Sequence, residues 1–237
     1  MLKVSGLSSG YGKLQVLDGV SLEASPGEVT VIVGPNGSGK STLLKSISGI
    51  ATVFSGHVDF DGRDLAGRSP TEIARAGVAY LPQTENVFTN LSVTENLRLA
   101  GYTQGRASHD ARLAASIQIF PQLSKYLDTK ASNLSGGERQ MVAMAMALAR
   151  RPSLIMFDEP TANLAPKVAT QVLDTVAKVT RDMNLTTLLV EQNAKRALEM
   201  GDKAVLLVSG KNVFTGTCRE LLGHRELGKL YLGLQVA

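Results

Sequence analysis

The stretch "GPNGSGKST", residues 34–42, decides the fold. It follows the apolar run "EVTVIV", residues 28–33, and continues into "TLLKSISG", whose pattern is typical of a helix. A glycine, four residues and then Gly-Lys-Ser is the spacing of a phosphate-binding loop between a buried strand and a helix. Because apolar runs and helical segments alternate further along the chain, the sequence predicts an α/β fold with a mostly parallel sheet.

Each residue type in this loop suits the binding of phosphate. Gly34, Gly37 and Gly39 let the backbone wrap closely and point N–H groups inward, and the helix N-terminus adds partial positive charge. Lys40 can reach the β- and γ-phosphates, and the Ser41 hydroxyl can ligate Mg²⁺. A flexible glycine-rich turn is the alternative, but it would not explain the strand and the helix at its two ends. The other nucleotide contacts predicted in this loop are Pro35, Asn36, Ser38 and Thr42.

A second motif, "LIMFDE" at residues 154–159, places two carboxylates at the end of an apolar run. Asp158 can hold Mg²⁺, directly or through water, and Glu159 is placed to polarise an attacking water as a general base. Asp-Glu at a strand end is often only a solvated turn. Combined with the phosphate loop, however, it predicts a site for nucleotide hydrolysis.

The third motif, "LSGGERQ" at residues 134–140, leads into another helix. Its small residues Ser135, Gly136 and Gly137 form a second backbone cradle for an anion at a helix N-terminus. A single globular unit needs only one such cradle. The second one makes sense if it closes over the nucleotide held by another subunit, so the motif predicts a dimer.

With these motifs in this order, the chain resembles the ATP-binding subunits of ABC transporters along essentially its whole length, and "LSGGERQ" is the most specific element. The resemblance implies that Tyr11 stacks on adenine with Val16 near it, although a half-exposed strand residue is the alternative for Tyr11. It implies that Gln83, in "AYLPQTENVF", contacts the metal and joins its site to a helical subdomain. The following residues and that subdomain would receive a coupling helix of a membrane partner.

The resemblance implies one ABC ATPase domain over residues 1–237, with a P-loop NTPase (RecA-like) core, an antiparallel β subdomain and an inserted α-helical subdomain. Residues 1–86 and 151–237 form the nucleotide-binding core with an antiparallel β layer, which includes the alternating runs "LKVSGL", "GVSLEA" and "GHVDFDG". Residues 87–150 form a helical subdomain that contains the signature; Ser92 and Glu95 are spaced as a capping box at one helix start. A helix with a valine face is predicted in "PKVATQVLDTVAKVTRDM", and a hairpin near the end is predicted to turn at residues 209–212.

Two positions depart from the common family pattern. Gln192 stands where a histidine usually ends the strand "TTLLVEQ", and His57, His109 and His224 lie in other segments. Gln192 is either a surface residue without a role or an amide that donates to a γ-phosphate oxygen or orients a water, without carrying charge or relaying a proton. In "TANLAP", Ala165 replaces an aspartate that in the family helps the two nucleotide sites communicate.

With both departures, the chain resembles one of the two ATPase types in branched-chain amino-acid importers and their urea or amide relatives, the type that has Glu-Gln-Asn at residues 191–193. Residue 192 is called the switch position below. The resemblance implies ATP and Mg²⁺ as ligands, permease subunits as partners at the cytoplasmic face of the membrane, and a solute-binding protein as an indirect partner. It also implies a heterodimer with a second ATPase that carries the histidine, with a homodimer as the alternative. A urea or amide importer, an unfused exporter and a soluble ABC ATPase remain competing functions.

Composition sets the remaining bounds. The chain has 237 residues, 43% of them hydrophobic, and a net charge of +4 from scattered Lys and Arg, a distribution that does not favour a nucleic-acid partner. The apolar run "MVAMAMALA" is too short to span a bilayer, and the N-terminus has no apolar signal segment, so a cytosolic protein is expected. The single cysteine, Cys218, excludes an intrachain disulfide and a cysteine metal cluster.

Overall fold

The computed structural model of the chain describes residues 1–84, 86–100 and 109–231. The strands are β1 (Leu2–Tyr11), β2 (Leu14–Ala24), β3 (Val29–Val33), β4 (Thr52–Phe60), β5 (Arg63–Asp64), β6 (Val78–Leu81), β7 (Leu154–Asp158), β8 (Thr186–Val190), β9 (Lys203–Val208) and β10 (Lys211–Thr217). The α-helices are α1 (Lys40–Ile47), α2 (Pro70–Arg75), α3 (Val93–Ala100), α4 (His109–Ile119), α5 (Gly136–Leu148), α6 (Pro166–Asp182), α7 (Ala194–Met200), α8 (Cys218–Gly223) and α9 (Arg225–Tyr231). Two 3-10 helices span Pro121–Tyr126 and Ala131–Asn133.

The central sheet has the strand order β10-β9-β3-β8-β7-β6, and only the β9–β10 pair is antiparallel. Every residue of β3, β7 and β8 is buried, which confirms the predicted buried strands. Strands covered on both faces need continuous apolar runs, and these three have them. Because the carboxyl ends of parallel strands meet at one edge of a sheet, the loops after β3, β7 and β8 come together there.

The second sheet has the order β2-β1-β4-β5 and is antiparallel throughout, as the alternating runs near the N-terminus predicted. One hydrophobic core lies between this sheet, α1 and one face of the central sheet; Ile32, Leu44 and Phe60 belong to it. The other core packs the opposite face of the central sheet, including Val31, against α5 and α6. The phosphate-binding loop and α1 are thereby held between the two sheets.

The helical segment contains the capping box that the sequence predicted. At the start of α3, Ser92 N donates to Glu95 Oε2 at 2.7 Å, and Glu95 N donates to Ser92 Oγ at 3.2 Å, so the capping box is confirmed. Residues 101–108 of the predicted helical subdomain, and residue 85 in the segment after Gln83, lie outside the described residues. The boundaries at 86/87 and 150/151 stay predictions.

The valine face of α6 and the final hairpin show one confirmed pattern and one error. Val172, Val176 and Val179 are buried, as their helical spacing predicted, but Val168, the first valine of the predicted stripe, is only half-buried. The predicted turn at residues 209–212 is too long, because Lys211 already pairs with Val208 in the ladder. The turn consists of two residues with φ of 46° and 78°, a conformation that matches the right-handed twist of a hairpin.

Within the described parts of the chain, no helix combines the length and the apolar character that a bilayer crossing requires.

Candidate active site

At two positions, the backbone of the phosphate-binding loop accommodates only glycine. Gly34 has φ of 149°, and a Cβ there would lie 2.0 Å from the carbonyl oxygen of Leu207. Gly39, with φ of 100°, immediately precedes α1, so the free N–H groups of that helix open toward the loop. Ser38 Oγ is buried and has no hydrogen-bond partner among the described atoms. A tight backbone turn, a helix N-terminus and an unpaired hydroxyl fit a phosphate group.

The Lys40 ammonium lies inside this loop. Its Nζ donates to the carbonyl oxygens of Gly34 and Pro35, at 2.9 Å each. Burial lowers the pKa of Lys40, and the negative charges of Glu159 and Asp158 act against this shift. Carbonyl dipoles compensate a buried charge less well than an anion does, so the ammonium would gain from an arriving phosphate.

Ser41, Asp158 and Tyr80 form a compact group of oxygen atoms below the loop. Ser41 Oγ donates to Asp158 Oδ1 at 2.8 Å, and the Tyr80 hydroxyl donates to Asp158 Oδ2 at 2.9 Å. Burial, followed by the charge of Asp158, raises the pKa of Tyr80, which therefore remains a hydrogen-bond donor. A hydroxyl and a carboxylate are ligands that Mg²⁺ prefers, and Mg²⁺ usually takes its other ligands from water and substrate phosphates.

Glu159 follows directly and has an unusual backbone. Its φ of 49° is left-handed, which is uncommon for a non-glycine residue, and its N–H donates to the carbonyl of Val190 at 2.9 Å. Gln83 Nε2 donates to Glu159 Oε2 at 2.9 Å. Such conformations cluster at functional sites, where the surrounding structure holds them. The carboxylate is therefore aimed by contacts on both its backbone and its side chain.

An open cavity of about 470 Å³ brings these groups together. Its lining consists of Val16, Asn36, Gly37, Gly39, Lys40, Ser41, Thr42, Gln83, Glu159 and Gln192, all of them predicted site residues. Gln192 thus faces the same space as Lys40 and Glu159, and its side chain brings an amide where a histidine would bring an imidazole. Four other predicted residues do not line the cavity themselves, but they neighbour or contact residues that do: Gly34, Pro35, Ser38 and Asp158.

Four predicted site residues lie elsewhere in the molecule. Tyr11 ends β1 with 43% of its surface exposed and is not part of the cavity lining. Ser135 caps α5 and accepts a hydrogen bond from Glu138 N at 3.4 Å, while Glu138 Oε2 accepts from Ser135 N at 2.7 Å. Gly136 and Gly137 begin the same helix. The signature residues therefore do not join the phosphate-loop cavity of their own chain.

Sequence reasoning missed two side chains at this site. Tyr80 is one, and nothing local in "AYLPQ" signals its bond to Asp158. The other is Glu191, only 2% exposed, whose carboxylate accepts hydrogen bonds from Thr161 N at 3.1 Å and Thr161 Oγ1 at 2.9 Å. Burial raises the pKa of Glu191 to about 7, and the nearby charge of Glu159 adds to the shift. A carboxylate directly after a buried strand is the sequence signal that could have revealed it.

Ala165, the second departure from the family pattern, is the residue before α6 and makes no side-chain cap. Aspartate is among the best residues at this position because its carboxylate accepts from free helix N–H groups. The helix starts instead with Pro166, which lacks one of those N–H groups.

Comparison with known proteins places this geometry in a family. Residues 17–162 match the pattern of the ABC transporter family. The chain is 49% identical to a probable branched-chain amino acid transport ATP-binding protein LivF of Archaeoglobus fulgidus, over 99% of both chains. It is 36% identical to the high-affinity branched-chain amino acid transport ATP-binding protein BraG of Pseudomonas aeruginosa, over 98% of this chain and 100% of BraG.

Solved structures agree with the sequence relatives. The chain is similar to the dimeric post-hydrolysis state of the ATP-binding cassette MJ0796 bound to ADP and Pi, with a TM-score of 0.80 and 26% identity. The match covers 92% of this chain and 99% of that one. The phosphate loop, the paired carboxylates and the signature helix all lie within residues 17–162, which match the family pattern. The chain therefore belongs to the ABC transporter family and is one of its ATPases.

Proposed function

We propose that this chain is the ATP-hydrolysing subunit of a membrane importer for branched-chain or other amino acids, bound peripherally at the cytoplasmic face of the membrane. The observation that carries the proposal is the full-length identity of 49% to a relative described as a branched-chain amino acid transport ATP-binding protein. The Glu-Gln-Asn sequence after β8 supports the same subfamily. Urea or amides are the alternative solutes, since importers of those compounds share the motif.

Nucleotide binding begins at the phosphate loop. The phosphates enter the backbone cradle, and Lys40 exchanges the carbonyls of Gly34 and Pro35 for phosphate oxygens. Tyr11, exposed at the end of β1, would stack on the adenine, and Val16, which lines the cavity, would lie near it. Ser41, Asp158 and Gln83 would hold Mg²⁺, which neutralises charge on the phosphates when bound.

Hydrolysis then depends on Glu159. Its carboxylate accepts the proton of the attacking water while the hydrogen bond from Gln83 keeps Oε2 in place. The Gln192 amide, which lines the same cavity, donates to a γ-phosphate oxygen or orients the water. Because an amide carries no charge, this site stabilises the developing negative charge less than a site with a protonated histidine does.

A second subunit completes the site. The Ser135–Gly137 segment of a partner would close over the γ-phosphate, since the same segment in this chain lies away from the cavity. We propose a heterodimer with an ATPase that carries histidine at the switch position; a homodimer with two glutamine sites is the alternative. Nucleic acid has no part in this function.

The permease would dock in a groove between the core and the signature helix. The groove has a volume of about 280 Å³ and is lined mainly by apolar and small residues of α2, β6 and α5, among them Ile73 and Met146. Ile50, between α1 and β4, also lines it. Ile50 has 53% of its surface exposed. A short amphipathic helix of a membrane partner suits such a site, because its apolar side would cover this surface.

The proposal is tested by purifying the tagged chain from detergent-solubilised membranes of its source organism and identifying the bound proteins by mass spectrometry. We expect two polytopic permease subunits and a second, histidine-bearing ATPase. Ile50→Arg should lose the permeases and keep the second ATPase, whereas Val213→Arg, at a comparably exposed apolar residue on β10, should keep both. Recovery of only soluble partners from the unmodified chain would overturn the importer assignment.

A further inference from the structure

Glu191 is a buried carboxylate that the hydrolytic mechanism does not use. It follows the last residue of β8, is 2% exposed, and uses both side-chain oxygens to bind a single residue. Oε1 accepts from Thr161 N at 3.1 Å and Oε2 accepts from Thr161 Oγ1 at 2.9 Å. Two hydrogen bonds to one partner fix both the distance and the orientation between the two segments.

The segment that Glu191 holds is the turn after the general base. Thr161 lies two residues beyond Glu159, and Ala162 N donates back to the Glu159 carbonyl at 3.1 Å. The Glu159 N–H donates to Val190 O, so this turn is tied to the end of β8 by one backbone bond and by the Glu191 side chain. Left-handed backbone at Glu159 is strained and needs such ties to persist.

The same residue sits next to the switch position. Gln192 follows Glu191 directly and lines the nucleotide cavity together with Glu159. Moving the Glu191–Thr161 contact would therefore shift Glu159 and Gln192 relative to each other. A carboxylate without a cationic partner is costly to bury, so stability alone is a poor reason for its presence here.

We propose, on the basis of the roles assigned above to Glu159 and Gln192, that Glu191 is a positioning residue for ATP hydrolysis. Through Thr161 it holds the turn after β7 against the end of β8, so that the Glu159 carboxylate and the Gln192 amide face the same γ-phosphate. Glu191 itself is not among the residues that line the nucleotide cavity. Small displacements of catalytic groups lower turnover more than they lower ground-state binding.

The test compares Glu191→Leu, Glu191→Gln and Thr161→Val in the full chain with the subunits that copurify with it. Phosphate release gives kcat, a fluorescent ATP analogue gives Kd, and thermal unfolding reports folding. We expect Glu191→Leu to lower kcat about 10- to 100-fold with Kd changed less than about threefold. Glu191→Gln should keep at least about a third of kcat, because its amide oxygen and nitrogen can still pair with Thr161 N and Oγ1.

Thr161→Val keeps the backbone N–H and loses the hydroxyl, so we expect an intermediate loss of kcat, about threefold to tenfold. Adding Thr161→Val to Glu191→Leu should cause no further loss, because both changes break the same contact. Unchanged kcat in Glu191→Leu, or a Glu191→Gln variant as impaired as Glu191→Leu, would overturn the proposal. If Glu191→Leu does not fold, Thr161→Val decides the question, and normal turnover in that variant would overturn the proposal. Absence of ATPase activity in the unmodified complex would instead count against the proposed function.

Discussion

The side-chain amide of Gln83 donates a 2.9 Å hydrogen bond to Glu159 Oε2. This contact joins the second residue after β6 to the first residue after β7, at the edge of the sheet where the phosphate loop also opens. It leaves Glu159 Oε1 free to accept a proton while Oε2 is held. The geometry is that of a general base whose orientation is set before the substrate arrives.

Glu159→Gln should therefore separate binding from chemistry. The amide keeps the size of the side chain but cannot accept the proton of water, so we expect turnover to fall about 10²- to 10⁴-fold with ATP affinity nearly unchanged. Phosphate release and titration with a fluorescent ATP analogue measure the two quantities. Glu199→Gln, at an exposed acid of α7, is the matched control and should change neither. Near-normal hydrolysis in Glu159→Gln would remove Glu159 from the role of base.

Ser41→Ala should raise the Mg²⁺ requirement. The substitution removes the hydroxyl that donates to Asp158 Oδ1, and with it one oxygen ligand of the expected metal site. We expect the Mg²⁺ concentration for half-maximal ATPase activity to rise at least about tenfold, in line with the loss of a direct ligand. Ser48→Ala is the control, because this hydroxyl, at the other end of the same helix, donates to Lys45 O. An identical Mg²⁺ response in the two variants would contradict the assignment.

Lys40→Ala should lose nucleotide affinity without losing the fold. The ammonium is held by two carbonyls, and burial lowers its pKa, so its removal takes away an incompletely compensated charge. We expect the Kd for ATP to rise at least about tenfold, while the melting temperature without nucleotide stays within about 3 °C. Lys45→Ala, one turn further along α1, should retain wild-type affinity. A large drop in melting temperature would show that Lys40 serves the loop structure itself.

The features that the sequence predicted correctly are those that depend on residues close together in the chain. The phosphate loop, the buried strand β3 and the capping box at Ser92 each depend on spacings of a few residues, so pattern and chemistry suffice to find them. The hairpin turn was overestimated by two residues because polar Lys211 and Asn212 continue the ladder of an edge strand. Composition does not distinguish an exposed edge strand from a loop.

The contacts that the sequence did not reveal join residues far apart in the chain. Tyr80 and Asp158 meet because β6 lies parallel to β7, and Glu191 and Thr161 meet because β8 lies on the other side of β7. Strand order decides both contacts, and a single sequence contains no direct record of strand order. The roles of Tyr11 and of Ser135–Gly137 stay predictions, since each concerns a ligand or a second subunit.

Glu191 should give the nucleotide-free protein a distinctive pH dependence. Its pKa is about 7 in the folded chain against an ordinary value of 4.5, so the folded state binds more protons between these values. Stability linked to this group is fully present below about pH 4.5 and is lost as pH rises to about 7. We expect urea unfolding to show that Glu191→Gln gains up to about 3 kcal/mol relative to wild type between pH 5 and 8. Parallel pH profiles for the two proteins would contradict the raised pKa of a buried carboxylate that has no cationic partner. Glu199→Gln serves again as the control.

Gly137→Ala tests whether the signature glycine serves packing or the partner's nucleotide. A Cβ at this position would lie 2.4 Å from Val168 Cγ1 on α6, so we expect the substitution to destabilise the fold by about 1–3 kcal/mol, as overpacking does.

Val168→Ala in the same chain removes the clashing methyl groups and should restore most of that stability. ATPase activity should remain low in the double variant, because the proposed dimer brings a partner's γ-phosphate against the backbone of Gly137, where the added methyl takes up space. Val168→Ala alone should be active, since Val168 is only half-buried and lies outside the nucleotide cavity. Full recovery of both stability and turnover in the double variant would mean that Gly137 is needed only to let α5 approach α6. The predicted contact between Gly137 and a second subunit's nucleotide would then be contradicted.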